Sequence, residues 1–257
     1  MKLICKYYGG SHSYGLNTPS SDLDHRGVYI NDDLAGIINP SQNNSDSAQV
    51  TQNKDNDVVF YEIRRYLSLL KKANTQSIEM LFNNDWVYIT DEFQKIQAER
   101  WKLIDPEKVF NSIQGYGFSE YKKAIGSTTG KLGGQRKLAV ETYNFSPKNW
   151  VNLLRIYYCG ERFFKTGVYP VSLEGTSIHT QLMELKTKPE QFTLDRLNEM
   201  FTERQKEFNE SWEKQQKDIR NLYYYDDRIA TNLIFNCYRK GLLKLAQFSL
   251  RERLFGC

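Results

Sequence analysis

The chain has 257 residues, of which 40% are hydrophobic, 14% aromatic and 26% charged, and its formal net charge is +4. A mean hydropathy of −0.64 and the lack of any apolar run near the ~18 residues of a spanning helix exclude a helical membrane protein, and the composition excludes a wholly disordered chain. The charge permits an anionic substrate but is too mild for a dedicated duplex-DNA binder. The four cysteines, Cys5, Cys159, Cys237 and Cys257, stand far apart without a C-x-x-C pair. Free thiols in a reducing cytosol are therefore expected, not a disulfide framework or a zinc site. Met1 to Tyr7 lacks the apolar stretch and cleavage site of a signal peptide, so the expected location is the cytoplasm.

In chain order, Leu3–Tyr8 reads as a strand that is broken by Gly9-Gly10-Ser11, and Leu23–Ile30 resumes a strand alternation. Residues 41–57 are almost wholly polar and read as a mobile loop with a strand near Val50. A helix is expected over 61–73, with Ile63, Leu67 and Leu70 on one stripe. Shorter apolar pieces follow at 77–82 and 86–89, then helices over 93–101 and 107–125. The glycine-rich, basic run 126–137 is the expected boundary between an α/β part and a helical part. Ser146-Pro147 is a helix start signal, and that helix should reach about Thr166. Leu197, Phe201, Phe208, Trp212 and Ile219 form one apolar seam on a long helix over 195–221, and a last helix is expected over 227–248.

The chemistry concentrates in Gly9-Gly10-Ser11-His12-Ser13-Tyr14-Gly15 and Ser21-Asp22-Leu23-Asp24-His25-Arg26-Gly27. A strand period of two puts Asp22, Asp24 and Arg26 on one face. Two adjacent carboxylates repel unless a cation sits between them, and Mg²⁺ is commonly held by one or two carboxylates plus substrate phosphates. The Gly-Ser turn offers backbone N–H groups to phosphate oxygens. A phosphate cradle beside a carboxylate pair describes nucleotidyl transfer.

Gly10-Ser11 followed by Asp22-x-Asp24 resembles the signature of the DNA polymerase β superfamily of nucleotidyltransferases. The fuller run most resembles its bacterial and phage YcgL-like members. Asp57-Val-Val-Phe-Tyr-Glu62-Ile-Arg resembles the family segment carrying a third acidic residue. Lys72-Ala-Asn74 through Glu79-Met-Leu-Phe, and Lys148 with Leu154-Arg155, resemble two later segments. The resemblance covers about 1–175 in patches. This chain departs from it at Thr75, where Pro is frequent, and at Lys148, which stands without a second lysine.

Each residue also has a plainer role. Asp22 and Asp24 alone are a common solvated edge; the upstream Gly-Ser turn favours the catalytic role. Asp57 competes with Asp55 and Glu62 as third carboxylate, and its other role is a helix N-cap. Glu62 is expected on a helix surface. His12 and His25 suit softer metals and are not expected as ligands. Arg26 either orients the carboxylates, reaches a phosphate or forms an ion pair. Lys148 and Arg155 lie seven apart on one helix face, as a triphosphate clamp or a solvated stripe. The 126–137 run lacks a Walker pattern because Leu132 follows Lys131, and reads as a basic lid or acceptor contact.

The expected fold is α+β, a small mixed β-sheet nucleotidyltransferase core over 1–125 and a helical region over 138–257 closing the nucleotide cleft. The expected function is transfer of NMP from an NTP to a hydroxyl or phosphate acceptor with release of pyrophosphate. Asp22, Asp24 and Asp57 would hold Mg²⁺, with Mn²⁺ as an alternative; Gly10, Ser11, Lys148 and Arg155 would bind the nucleotide. The acceptor classes are an RNA 3′ end such as tRNA, a protein side chain or a small molecule. A non-catalytic nucleotide or RNA sensor is the alternative function.

Overall fold

The computed structural model describes residues 1–31, 48–53, 56–127 and 134–239. Its sheet has five strands in the order β3-β4-β2-β1-β5. These are β1 (Lys2–Tyr8), β2 (His25–Ile30), β3 (Ala48–Asn53), β4 (Asn56–Glu62) and β5 (Tyr88–Ile89). β2 pairs antiparallel with β1 and parallel with β4, so the sheet is mixed. A bulge between Leu3 and Cys5 breaks the alternation of β1 and lets both Ile4 and Cys5 face apolar surroundings. β2 is central, and Gly27 to Ile30 are buried.

The polar stretch around Val50 becomes β3, which pairs antiparallel with β4 through Val50↔Val59 and Thr51↔Val58. It lies at the edge of the sheet, beside β4. The expected mobile loop at 41–47 lies outside the described residues, as does Asp55. β4 runs to Glu62, so the helix expected from 61 begins two residues later as α1 (Ile63–Lys71). Ile63, Tyr66, Leu67 and Leu70 form its buried stripe. The expectation for Glu62 is corrected. It is 6% exposed, caps α1 through the Arg64 amide at 2.9 Å, and accepts a hydrogen bond from the Tyr238 hydroxyl.

The piece at 77–82 is a helix, α2 (Thr75–Phe82), capped by the Asn74 side chain, which accepts from the Ser77 amide. α3 (Asp91–Ala98) and α4 (Pro106–Ala124) follow; Asp105 caps α4 through the amides of Glu107 and Lys108. α5 (Gly134–Tyr143) begins inside the expected break, of which residues 128–133 lie outside the described set. α6 (Pro147–Thr166) starts at the Ser-Pro signal and ends on Gly167 at φ 72°. α7 (Ser177–Thr187) and the long α8 (Leu194–Leu222) complete the helical part, and residues 227–239 are helical up to the edge of the described set. Aromatic rings knit α8 to α4 and α6. Phe110 stacks on Phe208 at 5.2 Å, and Tyr157 meets Phe208 edge-on at 5.1 Å.

One apolar core runs from Ile4 in the sheet to Tyr238 in the last helical segment, so both parts share it. Cys5, Cys159 and Cys237 are free thiols. Among the described residues, no helix is long and apolar enough to cross a membrane.

Candidate active site

The Gly9 amide donates to the Asp24 carbonyl at 2.9 Å, closing the end of β1 against the start of β2. The turn that follows is tied by Tyr14 N–H to Gly10 O at 3.3 Å and by Leu16 N–H to Ser11 O at 2.9 Å. Gly10 has φ 62°, and a Cβ there would collide with the Asp24 carboxylate. Glycine is thus needed twice, for its left-handed backbone and for the close approach of turn to carboxylate.

The ladder of β2 begins at His25, so Asp22 and Asp24 lie on the segment leading into it. They nevertheless line one cleft of about 1000 Å³ together with Gly10, Ser11 and Arg26. Arg26 lies 4.0 Å from the Asp24 carboxylate and donates to the Asp57 carbonyl at 3.3 Å. The parallel register His25↔Val58 brings Asp57 level with Asp24 on the neighbouring strand. Its side chain is exposed and is not part of the cleft wall.

Helices α2, α4, α5, α6 and α7 build the facing wall. Lys148, in the first turn of α6, is exposed to the cleft and has no ion-pair partner among the described residues. Arg155, two turns on, is different. Its Nη1 donates to Glu79 Oε1 at 2.7 Å, its Nη2 to Asn152 Oδ1 at 2.9 Å, and its guanidinium lies 3.6 Å from the centre of the Tyr14 ring. Burial works against the guanidinium charge, but Glu79 and Tyr14 hold its pKa well above the usual arginine value. Tyr14 in turn donates its hydroxyl to Glu79 Oε2 at 2.8 Å. Arg155 therefore braces the Gly-Ser turn from beneath with its charge already paired.

A second buried carboxylate, Glu120 of α4, accepts from Lys123 at 2.7 Å, Asn149 at 2.8 Å and Asn152 at 3.0 Å. Burial pushes its pKa up, but these three donors outweigh burial and leave it below the ordinary glutamate value. α7 and the segment just before it grip the loop that joins the turn to the carboxylates. Leu173 N–H donates to Tyr14 O at 3.1 Å, the His179 ring bonds Gly15 O at 2.7 Å, and Lys186 donates to Leu16 O at 2.5 Å and Ser21 Oγ at 3.3 Å. Under Arg155, burial pushes the Cys159 thiol up to about 12, leaving it protonated and unreactive. His12 Nε2 and His25 Nδ1 are buried without a hydrogen-bond partner among the described residues, and neither ring lines the cleft.

Asp22 and Asp24 supply hard oxygen donors on one wall of the cleft, a set that fits Mg²⁺ when substrate phosphates complete the shell. Among the described residues, no three His, Cys, Asp or Glu side chains are grouped for a metal, so Asp57 does not join the pair in this structure. Sequence reading placed Glu79 in a family segment without a role, and missed Glu120 and Lys186. Apart from Lys123 beside Glu120, their partners lie 29 to 170 residues away, beyond the reach of local pattern.

A mixed sheet with flanking helices, and a Gly-Ser turn packed against the second carboxylate of an Asp-x-Asp pair, define a polymerase β-like nucleotidyltransferase. Residues 1–138 match the family described as RlaP, the RNA repair pathway DNA polymerase beta family, and the chain belongs to it. It is also similar to an uncharacterised 38.9 kDa protein of the nrdC-mobD intergenic region of Enterobacteria phage T4. That match is 24% identical over 163 residues and covers 59% of this chain and 47% of the relative. The chain thus spans about half the length of the curated relative it matches. The family match ends before α6 and α7, which supply much of the facing wall.

Proposed function

We propose that the protein transfers NMP from an NTP to the hydroxyl of an RNA end and releases pyrophosphate. The observation that carries this reading is the Gly10–Ser11 turn packed on Asp24, with Asp22 in the same cleft. The RNA acceptor is supported by the family's description.

In this reading the turn amides and the Ser11 hydroxyl bind the β- and γ-phosphates, and Lys148 neutralises them from the facing wall. Asp22 and Asp24 would hold Mg²⁺, which when bound polarises the α-phosphate and screens its charge. Arg26 keeps the Asp24 carboxylate oriented. The acceptor oxygen attacks the α-phosphorus, the α–β anhydride bond breaks, and the electron pair leaves with pyrophosphate. The acceptor proton passes to the solvent of the cleft, because Asp57, though level with Asp24, is not part of the cleft wall. Arg155 contributes by holding Tyr14 and thereby the turn.

The test is incubation with each labelled NTP, Mg²⁺ and cell extract, followed by fractionation into RNA, protein and metabolites. Label in RNA, lost in Asp24→Asn, is expected. Label in protein or in a metabolite overturns the RNA acceptor, and no label in any fraction favours the nucleotide sensor.

A further inference from the structure

On the proposed function rests a further assignment. We infer that Lys186 of α7, with Lys148 of α6, forms a polyphosphate-binding pair that holds the β,γ end of the NTP, and then the leaving pyrophosphate, against the Gly-Ser turn.

Both lysines line the cleft that contains Ser11, Asp22 and Asp24. Neither has a carboxylate partner among the described residues, whereas Arg155 and Lys123 of the same cleft are paired with Glu79 and Glu120, and Arg26 lies 4.0 Å from Asp24; Arg136, the remaining cleft cation, is likewise without an ion pair there. Lys186 is half-buried and spends two donors on neutral oxygens, Leu16 O at 2.5 Å and Ser21 Oγ at 3.3 Å. An ammonium has three donors, so one is left for a ligand. Those two contacts fix the charge over the loop between the phosphate-binding turn and the carboxylates. Burial, and then the charge of Lys148, lower the Lys186 pKa. Two like charges brought together without a counter-anion are relieved when an anion binds between them. A polyphosphate fits that demand better than a single carboxylate, because its several oxygens reach both ammonium groups and the turn amides at once.

The experiment measures tripolyphosphate and NTP binding by calorimetry for wild type, Lys186→Gln and Lys186→Arg, with melting temperatures in parallel. Lys186→Gln keeps a donor for Leu16 and removes the charge. Its tripolyphosphate affinity should fall roughly tenfold or more, its KM for NTP should rise more than its kcat falls, and Lys186→Arg should recover most of the binding. In unmodified protein, tripolyphosphate should also protect Lys186 and Lys148, but not exposed Lys206, from an amine-acylating reagent. That measurement holds even if a variant fails to fold. Wild-type binding with unchanged affinity in Lys186→Gln, or no protection of Lys186, overturns this assignment and leaves the proposed function standing. A wild type that binds neither tripolyphosphate nor any NTP, with or without Mg²⁺, overturns both.

Discussion

Arg155 Nη1 stands 2.7 Å from Glu79 Oε1, and each side chain is only 4% exposed. The pair joins α6 to α2, and through Tyr14 it supports the turn that approaches Asp24. Removing one member leaves the other charged and buried. Arg155→Ala should therefore destabilise the fold by about 3–5 kcal/mol. Urea unfolding decides this; a loss of about 0–1 kcal/mol, as for an exposed pair, contradicts it.

Lys148 should behave in the opposite way. It is exposed to the cleft and unpaired among the described residues, so Lys148→Ala should leave the melting temperature unchanged. Its NTP binding should weaken by about 1.5–3 kcal/mol, the range for a charge-assisted hydrogen bond. Unchanged affinity would return Lys148 to a solvated surface role.

The carboxylate pair gives a sharper contrast between activity and stability. Among the described residues the Asp24 side chain has only the 4.0 Å ion-pair contact with Arg26 to lose, and Asp22 is exposed. Asp22→Asn and Asp24→Asn should each abolish transfer and Mg²⁺-dependent triphosphate binding, with a melting temperature equal to or above wild type. Near wild-type transfer in either variant sinks the catalytic assignment, and unfolding of either makes the pair structural.

Gly10→Ala introduces a Cβ at φ 62° and against the Asp24 carboxylate. The strained backbone alone should cost about 1–3 kcal/mol. The displaced carboxylate should lower kcat more than KM changes. A fully active Gly10→Ala variant would show that the turn does not need this close approach.

Glu120 sets a pH dependence. Its folded pKa lies below its unfolded one, so the stability it contributes is present above the unfolded value and is lost as pH falls through the folded value. Wild type and Glu120→Gln should differ most in melting temperature near neutral pH and converge in acid. A difference that stays constant down through the carboxylate range would mean that the ionised form of Glu120 is not what the Lys123, Asn149 and Asn152 donors stabilise.

Much of this architecture is legible one segment at a time. Ser146-Pro147 and Gly167 bound α6 because their backbone requirements are local. The Gly-Ser turn and Asp22-x-Asp24 are legible because the cleft wall they form is nearly contiguous in the chain. The edge strand β3 is hard to read because its residues carry little apolar pattern; its pairing with β4 defines it. Glu62 looks like helix surface from its neighbours, and only Tyr238, 176 residues later, shows it as an interior acceptor. The same distance problem hides the role of Lys186, whose partner Leu16 lies 170 residues away. A polar residue in a helix reads as solvated until its partner from another element is known.

Three successive backbone carbonyls, those of Tyr14, Gly15 and Leu16, each accept a hydrogen bond from the segment between Leu173 and Lys186. The donors are an amide, an imidazole and an ammonium, and two of them are side chains. Substitution at His179 or Lys186 therefore changes the shape of a loop encoded more than 160 residues earlier, without altering any residue of that loop. A chimera that grafts the first 138 residues onto a foreign helical half would inherit the Gly-Ser motif intact, yet would leave those three carbonyls to water and the turn free to wander from its carboxylate.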